Sequence, residues 1–426
     1  MDSKRTLTGL LTALQRVPGG SALIAGYIGL VRGLGLLRRA LVPTEVALLE
    51  MIMGSYGAQA LAAACRLGVF EHLAGGPRLA AELAGKMGAD PGHLGRLLEF
   101  LAASGIVRGG HGEAYALTRF GRGLLAGRAG SLKAFAEFNG AAPTLQAWAT
   151  LDASVMTGRA AFHIAHGEEF FPFTQRHPAF AALFDRAMVG FSEAMGPLFA
   201  SAYRFGPGTV VDVGGGCGAL LAGVLQRQPD LAGVLYDLPE VVAAAPAYLA
   251  AAGVAGRVEV VGGSFFDGVP AGYDYYVLKN VLHDWGDDEC GVVLGHIARA
   301  IKPSGRLLIA EMLRGPRPFP LPAAMDLGMM VLTRGGRERS RAEFERLLQS
   351  AGFELRSVVS ASAFMSILVA EPVSLHLQQS GPSVIPEQIG VADIGQEHVP
   401  GIVPGHVAHL DHQNTMAGRT GQESGS

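Results

Sequence analysis

Apolar residues in this chain follow two rhythms, and the change between them divides it. Before about residue 205 they recur mostly at helical spacing; from Thr209 to Val369, short β-branched runs alternate with amphipathic stretches. Thr209, Val210, Val211 and Val213 form the kind of run expected of a strand buried on both faces. Similar runs follow at Val234–Tyr236, Val258–Val261, Tyr275–Leu278, Leu307–Ala310, Glu354–Val359 and Met365–Val369. Helical patterns fill most of the gaps, most clearly Asp287–Ile301 and Arg341–Ser350. Such alternation predicts a parallel sheet with helices on both faces. The last two runs are separated by only a few residues around Ala361 to Ala363, too few for a crossover helix, so they must pair antiparallel. A parallel sheet with one antiparallel terminal strand is not the ordinary dinucleotide fold.

Residues 43–130 read as a small helical domain with a β-ribbon, winged-helix-like in outline. Thr44 is the expected N-cap of a helix carrying Ala47, Leu48, Met51, Ile52, Ala58 and Leu61 at helical spacing. Leu79–Gly85 predicts a short helix, and Asp90-Pro91 opens another that runs to about Ser104. Ile106-Val107, the Gly109-Gly110 turn and Tyr115–Thr118 predict the wing. A wing after short helices invites a DNA-binding reading. The second helix, however, sets Asp90 and Glu99 against His93 and Arg96, with no basic stripe for phosphates. A packing or dimerisation module is the expectation.

Residues 131–204 are mostly helical and rich in phenylalanine and methionine. Met188 and Phe191 are read as either core or the lining of an apolar substrate pocket. Residues 1–42 read as a helical extension packing on a partner. Their apolar run, Ser21–Val31, is cut short of a membrane span by Arg32, Arg38 and Arg39, and no small-residue cleavage site follows. Neither a signal peptide nor stable membrane insertion is expected. Residues 373–426, rich in Gln, Gly, Pro, Ser and His without apolar periodicity, read as a disordered tail. Its His398, His406, His409 and His412 lack the fixed spacing of a metal site.

Composition narrows the partners. Hydrophobic residues make up 49% and charged residues 17% of 426, enough for a large core, and a net charge of −3 leaves no electrostatic footprint for nucleic acid. Cys65, Cys217 and Cys290 lie far apart without paired spacing, which fits a reducing, cytoplasmic setting and neither a disulfide framework nor a zinc cluster.

The chemistry gathers along the predicted sheet. Gly214, Gly215, Gly216 and Gly218 follow the first strand and precede a helix start, a cradle for a carboxylate, ribose or phosphate. Alone this is weak, because Gly214, Gly216 and Ala219 also fit the loose dinucleotide fingerprint. Asp237, at the end of the second strand, could accept two ribose hydroxyls or start a helix. Gly262–Asp267 would flank the base, and Lys279 ends the fourth strand at the ligand-binding edge. His283 lies just beyond that edge. A lone histidine is usually structural, but Glu311 and Glu338 fall where they could back it as a general base. Glu338 could equally be a surface ion-pair partner of Arg337 or Arg339.

Taken in order, VVDVGGGCG, YDLPEVV, VLKNVLHDWGDDEC, GRLLIAEM and MDLGMMVLTRGGRERSRAEFERLLQSAGF resemble the plant caffeate-type O-methyltransferases and their bacterial natural-product relatives, over roughly Thr44 to Pro372. The resemblance implies a class I methyltransferase-like α/β sheet over 205–372 binding S-adenosyl-L-methionine, and an N-terminal winged-helix dimerisation domain. It implies methyl transfer to a small-molecule hydroxyl without metal, by a homodimer. It places Gly214 and Gly216 at the methionine part of the cofactor, Asp237 on ribose and Lys279 near the adenosyl group, with Asp212 also among the cofactor-binding residues. His283 becomes the base, flanked by Glu311 and Glu338, with Asp284 beside it. Trp285 and Met329 join Met188 and Phe191 around the acceptor. One departure stands out: Ser264, followed by Phe265, replaces the family's usual acid, so an adenine contact there lacks charge assistance. A nicotinamide oxidoreductase and a non-catalytic cofactor-binding winged-helix regulator are the alternatives; the first does not account for the terminal antiparallel pairing or the distal glutamate motif, and the neutral second helix disfavours the second.

Overall fold

The computed structural model describes residues 40–315, 320–362 and 365–373, with scattered positions between 26 and 38. The expectations for most of 1–42 and for all of the tail beyond Val373, its histidines included, fall outside these residues.

The sheet has seven strands: β3 (Gly208–Val213), β4 (Leu231–Asp237), β5 (Val258–Gly262), β6 (Tyr275–Lys279), β7 (Arg306–Glu311), β8 (Phe353–Ser360) and β9 (Ser366–Pro372). Their spatial order is β5-β4-β3-β6-β7-β9-β8. β3 pairs parallel with both β4 and β6, Val211 facing Val234 on one side and Tyr276 on the other. The order therefore reverses between β3 and β6, and their carboxyl ends open the crevice where doubly wound sheets bind ligands. The antiparallel pairing of the last two runs is present, but β9 inserts between β7 and β8 rather than closing the edge. The short link allows this because β9 turns straight back along β8 while its other side completes β7.

Alternate residues of the strands serve opposite faces. Val211, Val213, Tyr276, Leu278, Leu307 and Ile309 belong to one buried cluster. Val210, Val277, Leu308 and Ala310 belong to the other. Burial on both faces is why these runs lack polar alternation, and each fully buried side chain contributes about 1.5–3 kcal/mol. Helices cover the faces. The helix Asp287–Ala300 buries Cys290, Val293, Leu294 and Ile297, one stripe at helical spacing, with three acids in its first turn complementing the helix dipole. The helix Arg341–Ser350 opens on a capping box between Ser340 and Glu343.

The N-terminal part has its own core, built from Val69, Phe70, Leu83, Leu98, Val107 and Leu117 among others. Its helices α1 (Thr44–Ile52) and α2 (Gly54–Arg66) break at Met53, which caps both. Pro43, not Thr44, holds the N-cap position: proline fixes the extended entry angle, and Thr44 becomes the first helical residue. Asp90 caps α3 (Pro91–Ala103) as expected, accepting from the backbone N–H of His93. The predicted ribbon is present as two-residue strands, β1 (Val107–Arg108) and β2 (Ala116–Leu117). None of the residues of α1 is buried. The stretch Thr44–Arg66 is apolar and long enough to cross a membrane by length and composition alone.

A fourth cluster is aromatic: Phe138, Phe162, Phe170, Phe173 and Phe180, with Val331. It is tied to the sheet by α4 (Pro178–Ala202), whose 25 residues span about 38 Å. Phe180 and Ala187 pack in the aromatic cluster, while Phe199 and Ala200 pack under the sheet. The middle of α4 thereby reaches the end of β6, where Ser192 Oγ accepts from Lys279 Nζ at 3.1 Å.

Candidate active site

The glycine turn leaves β3 in left-handed steps, Gly214 at φ 69° and Gly216 at φ 61°. A Cβ on Gly214 would meet Val281 at 2.9 Å, whereas one on Gly216 would meet nothing, so that position opens onto free space. The backbone N–H of Gly216 donates to Asp237 Oδ2 at 2.8 Å and that of Leu238 to Oδ1 at 2.7 Å. Asp237 thus ties the second strand to the turn and keeps lone pairs for hydroxyls above it. Beneath the turn lies the carboxylate of Asp212, with one oxygen buried and unpaired. Burial pushes it up to about 7, against the lowering effect of Lys279. A glycine cradle, a ribose-type carboxylate and an unpaired buried acid fit a ligand with hydroxyls and a positive charge. Behind them begins the helix Ala219–Arg227.

On the neighbouring strand, Lys279 is half-buried, its Nζ 3.1 Å from Ser192 Oγ and 5.4 Å from the centre of the Phe191 ring. Burial lowers it to about 8, while Asp212 and Glu311 hold it up. Beyond it, a single 3-10 turn, Leu282–Asp284, carries His283, only 6% exposed. Glu311, fully buried at the end of β7, accepts from the backbone N–H groups of Val281, Leu282 and His283 at 3.2, 3.1 and 3.4 Å. Its second oxygen stands 3.6 Å from His283 Nδ1. Glu338 Oε1 lies 2.9 Å from the same nitrogen. A carboxylate at that distance selects the Nδ1–H tautomer and leaves Nε2 as the basic nitrogen. Asp284 Oδ1 flanks Nε2 at 3.8 Å.

Burial disfavours the imidazolium, but Glu311, Asp284 and Glu338 outweigh it and raise His283 to about 10. Burial in turn raises Glu311 to about 7 and Asp284 to about 6, each drawn back by His283. Three acids around one imidazole leave the site with surplus negative charge, which favours a cationic ligand. His283, Glu311 and Glu338 also bring one ligand atom each within 4.8 Å of one another, a spacing a small cation could bridge.

Glu338 is 1% exposed and Arg339 fully buried, so the surface ion-pair reading of this motif is overturned. The loop holds the base instead. The backbone N–H of Arg337 donates to the His283 carbonyl at 2.8 Å. The Arg339 guanidinium donates to the carbonyls of Leu282 and Trp285 at 2.6 and 2.7 Å and to Asp287 at 2.8 Å. Glu338 N–H is anchored on Asp326 Oδ1 at 2.8 Å. Gly336 is obligatory, because a Cβ there would fall 2.7 Å from the His283 carbonyl oxygen.

Most of the expected residues gather at one lip of the sheet. Met188 packs against the aromatic cluster, Phe191 stacks on Phe135 at 5.9 Å, and Met329 is buried in the helix Pro320–Leu332. Trp285 stacks on Phe171 at 5.2 Å, at the edge of the aromatic cluster that Met188 also packs against, and meets Phe266 edge-on at 4.7 Å. It also meets Phe265 at 6.1 Å, and so bridges the aromatic cluster and the turn after β5. The Ser264 hydroxyl accepts from the N–H of Phe266 at 3.2 Å, bracing its own turn. Asp326, Arg339, Ser192 and Asn280 escaped the sequence reading. Arg339 alone left a trace, its place beside Glu338.

Residues 148–354 match the model of the O-methyltransferase domain, and residues 49–127 that of the O-methyltransferase dimerisation domain. The chain is 39% identical to a mitomycin biosynthesis 6-O-methyltransferase of Streptomyces lavendulae, over 74% of its own length and 90% of the relative's. It is 36% identical to a phenazine O-methyltransferase of Lysobacter antibioticus, over 79% and 98%. Among solved structures, an O-methyltransferase of neocarzinostatin biosynthesis, in complex with S-adenosylmethionine and 2-hydroxy-5-methyl naphthoic acid, superposes with a TM-score of 0.62 at 34% identity, covering 74% of this chain and 96% of that one.

Proposed function

The chain belongs to the O-methyltransferase family, and from that membership we propose that it methylates an aromatic hydroxyl of a small secondary metabolite, with His283 as the general base and no metal in the step. It is an S-adenosyl-L-methionine-dependent enzyme. The observation that carries the rest is His283: Nδ1 stands 2.9 Å from Glu338, and among the described residues Nε2 has only Asp284 Oδ1 beside it, at 3.8 Å.

S-adenosyl-L-methionine, when bound, supplies an electrophilic methyl and a positive charge. Gly214, Gly216 and Asp237 would hold it, with Phe265 walling its base. A phenol of pKa ~10 is scarcely ionised at neutral pH, so its proton must leave as the oxygen attacks. Beside a second cation the imidazolium of His283 is disfavoured, which frees Nε2 to take that proton. Glu338 and Glu311 then stabilise the charge on the ring. Met188, Phe191 and Met329 exclude water and hold the acceptor in line, and orientation of this kind removes much of the barrier.

The acceptor class follows the aromatic lining and the relatives, whose names specify mitomycin, phenazine and naphthoic acid chemistry. The exposed apolar α1 and α2 and the matched dimerisation domain support a homodimer. Free Cys65, Cys217 and Cys290 support a reducing, cytoplasmic setting.

His283→Ala should lower turnover on the order of 10²–10⁴-fold, while calorimetric titration still finds S-adenosylhomocysteine bound and chelator leaves the wild type active. Unchanged methylation in that variant would remove the base. Tight binding of NAD in place of S-adenosylhomocysteine would restore the oxidoreductase alternative.

A further inference from the structure

Between Lys279 and the turn that carries His283 stands Asn280. It is the one non-glycine residue among those described with a left-handed backbone, φ 53°. L-residues enter that region at a cost, which asparagine bears better than most. The usual compensation is a bond from the side chain to nearby backbone. Here it is missing: both the carboxamide oxygen and the nitrogen are buried, and neither has a hydrogen-bond partner. Only the main chain is satisfied, its N–H donating to Ala310 O at 3.1 Å. Glycine would accept this backbone without strain and leave no polar atom stranded. Two unfavourable features thus coincide three residues before the base, at the carboxyl end of a central strand, and the fold draws no visible return from either. Unpaired buried groups and strained backbone of this kind concentrate where a ligand completes them.

We propose that the Asn280 carboxamide recognises the methyl acceptor, through a substituent that presents a hydrogen-bond donor and an acceptor side by side. The inference rests on the O-methyl-transfer reading and narrows it to aromatic hydroxyls bearing a second group of carboxamide type. The Asn280 NH2 donates to that group's oxygen, and the Asn280 oxygen accepts from its N–H, so one partner satisfies both stranded atoms. The acceptor is the better occupant than the cofactor. Asp237 and the glycine turn serve the cofactor from β3 and β4, whereas the residues after Asn280 lead directly into the base.

The test titrates the full chain, saturated with S-adenosylhomocysteine, with phenol and with 2-, 3- and 4-hydroxybenzamide. At least one carboxamide should bind more tightly than phenol. Asn280→Gly, which relieves the backbone, should abolish that advantage, a loss of roughly five- to hundredfold for two neutral hydrogen bonds. Its thermal midpoint should be equal or higher and its affinity for S-adenosylhomocysteine unchanged. Asn280→Asp, which keeps the oxygen and loses the donor, should fall between. Carboxamides that bind the wild type no better than phenol, or an advantage that survives in Asn280→Gly, would overturn the proposal. So would a fall in S-adenosylhomocysteine affinity with the advantage intact, which would assign the amide to the cofactor. Binding rather than turnover is read, so failure here is distinct from failure of methyl transfer.

Discussion

Glu311 shows how one side chain can hold a catalytic group by shape and by charge at once. One oxygen gathers the three backbone N–H groups of the turn, and the other faces His283 Nδ1 at 3.6 Å. Glu311→Gln separates the two roles, because the amide oxygen still accepts while the charge is gone. Among the groups that raise His283, Glu311 is the largest. The sign follows: without it the imidazole loses its proton at lower pH, so the acid limb of kcat/KM moves to lower pH. The plateau should fall by less than about 10²-fold, short of losing the base itself. A limb that stays in place would mean that Glu311 acts through geometry alone. Through their place after strand ends for His283 and Glu311, and through the family resemblance for Glu338, the imidazole and its acids were legible in the sequence. Asn280 and Asp326 were not, since nothing local distinguishes a buried asparagine or aspartate from an exposed one.

At the scale of the element, the loop from Gly335 to Ser340 acts as a clamp on the turn that bears His283. Arg337 holds the carbonyl of the histidine, Glu338 its ring, and Arg339 the carbonyls on either side. Arg339→Lys keeps the charge but replaces a planar fork with a point donor that cannot serve three acceptors in fixed directions. Turnover should drop roughly 10- to 100-fold for a base displaced by a fraction of its working geometry, with KM for S-adenosyl-L-methionine within about twofold. Comparing kcat per folded molecule, by active-site titration, decides whether the arginine positions the base or only stabilises the fold; unchanged kcat would leave it a stabilising residue. Sequence periodicity located the flanking elements well, with Arg341–Ser350 matching end to end. For the Arg339 loop it left a surface ion pair open beside a place behind His283, because charged residues in a glycine-rich segment resemble any solvated turn. Only burial against the 3-10 turn decides between the two.

For the whole molecule, the open question is what covers α1 and α2. Leu48, Met51 and Ile52 are 54%, 74% and 66% exposed, an apolar face that a lone soluble chain rarely shows. A second copy packed there removes it from water. Met51→Glu with Ile52→Lys should shift the chain from dimer to monomer by light scattering. If the doubly substituted chain remains dimeric, the interface lies elsewhere. Thr44–Ile52 was legible as a helix, yet its pattern could not say whether the apolar side faces the same chain, a partner or a membrane.

The sequence by itself determined the layered α/β architecture, the antiparallel pairing of the last two strands and the cradle glycines, because each is written in local spacing and residue type. Tertiary structure alone decided that β9 inserts between β7 and β8, that Trp285 packs with Phe171 and Phe266, and that Arg339 and Asn280 are drawn into the site. These depend on which surfaces meet across long sequence separations. Burial, which turns an ordinary arginine into a clamp and an ordinary asparagine into a stranded amide, exists only once those surfaces have met.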